Sequence, residues 1–226
     1  MKSIKRFLTT AAAATLLASA SAHAVLINSE LDIVAPVNVI TFDGFNGEPG
    51  ITGPVQVGAE VGFDVQFLSS PTSTLGAFVA DLGENGLWGG GPNGNFVRSD
   101  FSFGLGSIVF QFANPVQSVG AFMNYLRPLD STNPGGIILS ALDQNGFALE
   151  SYVVSVVTTF DSFNEGAFFG VARGTADIFG FAVTDGAIVL DNLTFTTPVP
   201  EPGTYALMAA GLVLLGMAVR GRRNHR

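Results

Sequence analysis

The 226-residue chain has two histidines, His23 and His225, one near each end, and no cysteine. A Ser-His-Asp triad, a Cys-His pair and a histidine-ligated metal centre each need one of these residues inside the folded part. The interior therefore excludes all three by inventory. Carboxylates remain, since all 18 acidic residues lie between Glu30 and Glu201. Paired carboxylates are the machinery of glycoside hydrolysis, so that chemistry stays open. No single Asp or Glu stands out for it, and the chain is expected not to be an enzyme.

Binding chemistry has better candidates. Trp88, the single tryptophan, sits in Gly86-Leu87-Trp88-Gly89-Gly90-Gly91. A glycine-rich loop can hold a flat ring open to a sugar, or let the ring fold back onto the body of the domain. Tyr125, two residues from Arg127, is a second candidate sugar contact. The glycine loop lacks the Gly-Lys-Ser/Thr ending that cradles phosphates, so nucleotide binding is not indicated.

Charge narrows the partners further. The headline net charge is −8. Three of the ten basic residues (Lys2, Lys5, Arg6) are at the N-terminus and four (Arg220, Arg222, Arg223, Arg226) at the C-terminus. Between them stand only Arg98, Arg127 and Arg173 against eighteen acids, a net charge of −15. Nucleic acid is excluded as a partner, because its affinity comes from cationic contacts with phosphates. Neutral sugars, divalent cations and basic surfaces remain. Each arginine is expected to pair with a local carboxylate.

The elements that must position these groups read as strands. Runs rich in Val, Ile and Phe at 37–42, 61–68, 96–103, 108–112, 116–125, 137–142, 147–157, 167–172, 178–184 and 188–195 recur between Gly, Pro, Asn and Asp clusters. Phe101 and Phe103 flank Ser102, and Phe110 and Phe112 flank Gln111; this period of two puts the rings on one face. Asp143-Gln144-Asn145-Gly146 supplies the positive φ angles of a tight turn, so 137–142 and the run after 147 are predicted to pair antiparallel. No window before Pro200 carries a helical stripe. The interior, 25–195, is one all-β domain, predicted to be a jelly-roll-like antiparallel β-sandwich.

The ends carry addresses. Lys2, Lys5 and Arg6, then an apolar stretch over 7–18, then Ala22-His23-Ala24 form the three parts of a secretory signal peptide, residues 1–24, with cleavage after Ala24. At the other end a linker, 196–202, contains Val199, Pro200, Glu201 and Pro202. The prolines keep it extended, as suits insertion into a protease groove. One apolar transmembrane helix is predicted over 203–219, and 220–226 forms a basic cytoplasmic tip. Its uninterrupted apolar run of about 15 residues reaches about 22 Å, short of a hydrocarbon core of about 30 Å. Snorkelling of Arg220, Arg222, Arg223 and Arg226 can meet the shortfall, and arginines after an apolar span hold that end on the cytoplasmic side.

Pro200-Glu201-Pro202, the apolar span and the arginine tip in fixed order at the very end resemble the PEP-CTERM sorting domain of Gram-negative bacteria. The resemblance covers about the last tenth of the chain. The leader implies export through the translocon and signal peptidase cleavage; the resemblance implies a transient inner-membrane anchor and cleavage near Pro200 by an exosortase, a membrane-embedded processing enzyme. It further implies release to the cell surface or the extracellular matrix of a bacterium that makes exopolysaccharide.

The interior, from Ile40-Thr41-Phe42-Asp43 to the acid-bearing strand Val189-Leu190-Asp191-Asn192-Leu193-Thr194-Phe195, more loosely resembles jelly-roll carbohydrate-binding modules. That resemblance implies a structural calcium. Asp43, Asp191 and Asn192 are its candidate ligands, provided that the first and last strands pair; the alternative is that they are turn formers and strand-end polar groups. The expected function is that of a non-enzymatic surface or matrix protein in contact with exopolysaccharide. The alternatives are a secreted carbohydrate-active enzyme using paired carboxylates, and a structural or adhesive spacer without a small ligand.

Overall fold

The computed structural model describes residues 24–89, 94–100, 106–127, 136–196 and the isolated residue 212. The expectations for 1–23, for Gly90 and Gly91, for Phe101 and Phe103, and for the linker from 197 onward, the 203–219 helix and the arginine tip lie outside the described residues.

The strands, in chain order, are β1 (Val25–Ile27), β2 (Val37–Ile40), β3 (Glu48–Ile51), β4 (Val55–Gln56), β5 (Val65–Ser70), β6 (Ser73–Ala77), β7 (Val79–Asp81) and β8 (Leu87–Gly89). They continue with β9 (Phe96–Ser99), β10 (Ser107–Val116), β11 (Ser118–Leu126), β12 (Ile137–Leu142), β13 (Ala148–Val154), β14 (Ala167–Ala172), β15 (Ile178–Thr184) and β16 (Ala187–Thr196). Three single-turn 3₁₀ helices, Glu30–Asp32, Ala59–Val61 and Gly83–Asn85, interrupt them. The protein is all-β, and its sheets are antiparallel.

Three sheets form. The first runs β1-β14-β11-β16-β9-β6-β3, with β2 also paired to β16. The second runs β13-β12-β15-β10-β5-β4, and β7 pairs with β8 alone. Both large sheets bury side chains in one core. Leu75, Val97, Met123, Leu190 and Phe195 come from the first; Phe67, Phe110, Leu139 and Phe181 come from the second. The period of two in β10 does this directly, with Ile108, Phe110 and Phe112 buried and Gln111 exposed between the two rings. Ring pairs tie the layers: Phe112 lies 5.2 Å from Phe195, and Phe110 lies 5.8 Å from Phe42. Each fully buried phenylalanine stabilises the fold by about 1.5–3 kcal/mol.

The expected strands 137–142, 167–172 and 178–184 coincide with β12, β14 and β15. The hairpin joins β12 to β13: Asp143 Oδ1 accepts from Asn145 N at 2.8 Å and Phe147 N at 2.9 Å, and Gly146 takes φ 81°. Strand 61–68 instead begins at Val65, because Ala59–Val61 wind into a turn that ends on Gly62 at φ 76°. Strands β3, β4, β6, β7 and β8 have no run of bulky residues to announce them. β6, Ser-Thr-Leu-Gly-Ala, is buried along its whole length.

The side of the first sheet that faces away from this core is also covered. Val97 and Leu190 join the main core, whereas Phe96 and Val189 join a second cluster with Ala77, Ala80, Leu82, Trp88 and the partly buried Phe122. Alternation along β9 and β16 thus puts residues on both sides of the sheet. The β7–β8 excursion folds back to roof its far face.

Candidate functional site beneath the roof

The roof is fastened by asparagines. Asn85 is fully buried, at 0% exposure. Its Nδ2 donates to Asn124 Oδ1 at 3.0 Å, Tyr125 O at 3.1 Å and Val156 O at 3.0 Å. Its Oδ1 accepts from Thr158 N, and its carbonyl accepts from Thr158 Oγ1, Ser162 Oγ and Asn124 Nδ2. One residue thereby joins β11, the 3₁₀ turn and the segment after β13. Asn124, equally buried, donates onward to Glu165 O at 2.8 Å, and Asn164 Oδ1 accepts from Gly89 N at 2.8 Å. Buried amides satisfied at this many points specify one arrangement of three segments distant in sequence.

Trp88 occupies the middle of this roof. It is only 4% exposed, stacks on Phe122 with centroids 5.6 Å apart, meets Phe96 edge-on and donates its indole N–H to Glu165 O at 2.7 Å. The ring does not stand open as a sugar platform; packing against the outer face of the first sheet and the Glu165 carbonyl outweigh the freedom of the glycine loop. Tyr125 is likewise internal, 3% exposed, with its hydroxyl 3.3 Å from Ser155 Oγ. Neither ring presents an open face of the kind a sugar platform needs. Trp88, as the single tryptophan, is expected to emit at a blue-shifted wavelength that added polysaccharide leaves unmoved. A red-shifted maximum, or quenching by acrylamide at a free-tryptophan rate, would overturn this burial.

The acids expected to come together partly do. β2 and β16 pair antiparallel, Ile40 opposite Leu193, so an early strand and the last strand are neighbours. Asp191, opposite Phe122 on β11, is 4% exposed. It borders a cavity of about 20 Å³ shared with Trp88, Gly89, Gly94, Phe96, Phe122 and Asn164, room for about one water. Burial pushes the Asp191 carboxyl up to about 7; the nearby Asp43 charge adds to this, and the hydrogen bond from Asn192 N to Asp191 Oδ1 at 2.7 Å opposes it. Asp43 Oδ1 accepts from Asn95 N at 2.7 Å. Gly94, at φ 85°, lies so near that any side chain there would overlap the Asp43 carboxylate.

Asn192 contributes mainly through its backbone, which takes φ 51° and whose carbonyl accepts from Thr194 Oγ1. Among the described residues no group of three or more His, Cys, Asp and Glu could hold a metal ion. A calcium at Asp43 and Asp191 would need at least two further oxygens from carbonyls or solvent even with both carboxylates bidentate.

The arginines pair with local acids as expected. Arg173 makes two hydrogen bonds to Asp177, at 2.6 and 2.9 Å, which hold its guanidinium more firmly protonated than usual. Arg98 lies 3.7 Å from Asp100, and Arg127 lies 4.0 Å from Glu84. Sequence reasoning missed Asn85, Asn124 and Asn164. Leu82-Gly83-Glu84-Asn85-Gly86 reads as an ordinary turn, and nothing local marks its asparagine as a buried hub.

A model of the PEP-CTERM protein-sorting motif matches residues 198–223. The match begins two residues after the last residue of β16, and it identifies the chain as carrying an exosortase-directed sorting tail, hence as an exported protein. No curated protein and no solved structure matches the chain.

Proposed function

We propose that this protein is a non-enzymatic module displayed on the surface or in the extracellular matrix of a Gram-negative bacterium, where it associates with exopolysaccharide after exosortase removes its tail. The observation that carries this reading is the sorting motif placed directly behind the last strand. The leader at 1–24 then supplies the translocon and signal peptidase steps, and the apolar span is a temporary inner-membrane anchor. Strand order supports a jelly-roll sandwich for the domain. From β9 onward, one sheet holds β14-β11-β16-β9 and the other β13-β12-β15-β10, the arrangement that two interleaved Greek keys produce.

Room at the acid pair supports the non-enzymatic reading. The cavity at Asp191 holds about one water and not a sugar ring, which leaves no room there for glycoside turnover. We read Asp191 as a structural group whose burial favours its protonated form. Protein extracted from its native host is expected to end near Pro200 by intact mass and to co-sediment with the host's exopolysaccharide without releasing reducing sugar. Retention of Arg226 would overturn the processing. Sugar release that disappears in Asp191→Asn would overturn the non-enzymatic reading in favour of a carboxylate enzyme, and self-association without glycan binding would favour a spacer.

A further inference from the structure

Asparagine followed by glycine is chemically labile, and the chain has four such pairs: Asn46-Gly47, Asn85-Gly86, Asn93-Gly94 and Asn145-Gly146. In each, the glycine nitrogen can attack the asparagine Cγ, because glycine has no Cβ to block the approach. As sequence the four are equivalent. The fold separates the three whose asparagines lie among the described residues.

Asn85 is closed. Its side chain is fully buried, its Nδ2 and Oδ1 are held by four partners, and the Gly86 N–H donates to Gly83 O at 2.9 Å. Neither the carbon under attack nor the attacking nitrogen can move toward the other without opening the roof. Asn145 is exposed in the turn between β12 and β13, but its nucleophile is engaged: the Gly146 N–H donates to Asp143 O at 3.0 Å. Asn46, in the loop between β2 and β3, is exposed as well. Neither its side-chain amide nor the Gly47 N–H has a hydrogen-bond partner among the described residues.

The fold also fixes the residue that makes this pair labile. Gly47 takes φ 71°, and a Cβ there would lie 2.9 Å from Phe78 Cε2. The close approach of Phe78 demands glycine at 47, so no side chain there can shield Asn46.

We propose that Asn46 is a site of spontaneous covalent modification at which the folded chain ages. The Gly47 nitrogen loses its proton and bonds to Asn46 Cγ. The Cγ–Nδ2 bond breaks, and Nδ2 leaves as ammonia with that proton, which closes a five-membered succinimide. Water then opens the ring. Attack at Cγ leaves aspartate; attack at the main-chain carbonyl carbon leaves isoaspartate. Either product adds one negative charge to an interior of net charge −15. Isoaspartate also lengthens the main chain by one carbon just before β3, beside Phe45, whose carbonyl accepts from Asn95 Nδ2 at 2.7 Å. The site is independent of the exopolysaccharide reading.

The test incubates the full chain in detergent in mildly alkaline, ¹⁸O-labelled water, native and in urea. Peptide mapping with electron-transfer fragmentation follows the three asparagines and distinguishes isoaspartate from aspartate. In the native protein Asn46 is expected to take up label first, mainly as isoaspartate. Asn145 is expected to lag by up to about tenfold, the effect of one hydrogen bond on its nucleophile, and Asn85 to stay intact over that period. In urea the three are expected to react at similar rates. Asn46→Gln, an exposed change that keeps an amide, is expected to abolish the earliest acidic band on isoelectric focusing without changing the melting temperature. Native reaction at Asn145 or Asn85 as fast as at Asn46 would overturn the proposal. So would the same order of rates persisting in urea, or an earliest acidic band that Asn46→Gln leaves in place.

Discussion

Replacing Asn85 with alanine is expected to lower the unfolding free energy by about 3–5 kcal/mol, a loss at the extreme of single substitutions. The side chain is fully buried and serves four partners: Asn124 Oδ1, Tyr125 O, Val156 O and Thr158 N. Alanine removes the donor and acceptor together and leaves those groups desolvated without partners, each costing about 1–3 kcal/mol, although relaxation and entering water reduce the sum. A cavity the size of the lost amide adds to this. The urea midpoint measures the effect, with the slope as a check that unfolding stays two-state. Asn124→Ala is expected to cost less alone, because the two carbonyls it leaves keep other donors: Asn85 O accepts from Thr158 Oγ1 and Ser162 Oγ, and Glu165 O from the Trp88 indole. The double variant should cost less than the sum, since the pair shares one hydrogen bond. Strict additivity, or a loss under about 1 kcal/mol for Asn85→Ala, would show that the roof is not held by this hub.

Stability should fall as pH rises toward neutrality, and Asp191 should be the cause. Burial, with help from Asp43, raises its carboxyl to about 7 in the folded protein, against 3.8 for the free group. The folded state therefore holds a proton that the unfolded state has released between those values. Asp191's stabilising contribution is fully present below about pH 4 and is lost as pH climbs through about 7, a change of about 2–4 kcal/mol. Asp143 and Asp161 act in the opposite sense. Hydrogen bonds from Phe147 N and from Thr159 Oγ1 respectively hold their carboxyls below the usual range and leave the higher window to Asp191.

The measurement is the urea midpoint at about pH 5 and about pH 8. The native protein is expected to be weaker at the higher pH, and Asp191→Asn, neutral throughout, to be nearly level. A native profile that is flat or rises over this window would overturn the assignment. Calcium enters the same experiment. At the higher pH, millimolar calcium is expected to leave the midpoint unmoved; a gain that Asp191→Asn abolishes would make the acid pair a cation site instead.

Chain-local chemistry was legible where a few neighbouring residues decide the outcome. The Asp143–Gly146 turn needed only positive φ at its end and a carboxylate able to cap two amides. Strands β12, β14 and β15 were readable because bulky residues fill them between turn formers. β6 was not, since its burial comes from layers brought over it by distant parts of the chain. Trp88 shows the same limit from the other side. Its glycine neighbours allow either an open or a folded ring, and only the arrival of Phe96, Phe122 and Glu165 O makes the folded one lower in energy.

By itself, the sequence determined the sorting tail, the exclusion of histidine and cysteine chemistry, the excess of acids and the all-β class. Each depends on composition or on residues adjacent in the chain, where torsional preference and hydropathy act without tertiary help. Tertiary structure alone decided the roof over the first sheet, the asparagine hub beneath it, the burial of Asp191 and the unpartnered Arg98 nitrogen. These arise from removal of polar groups from water by segments far apart in sequence: Asn85 meets Val156 across 71 residues, and Trp88 meets Glu165 across 77. Desolvation depends on the whole surrounding shell, and no local pattern encodes that shell.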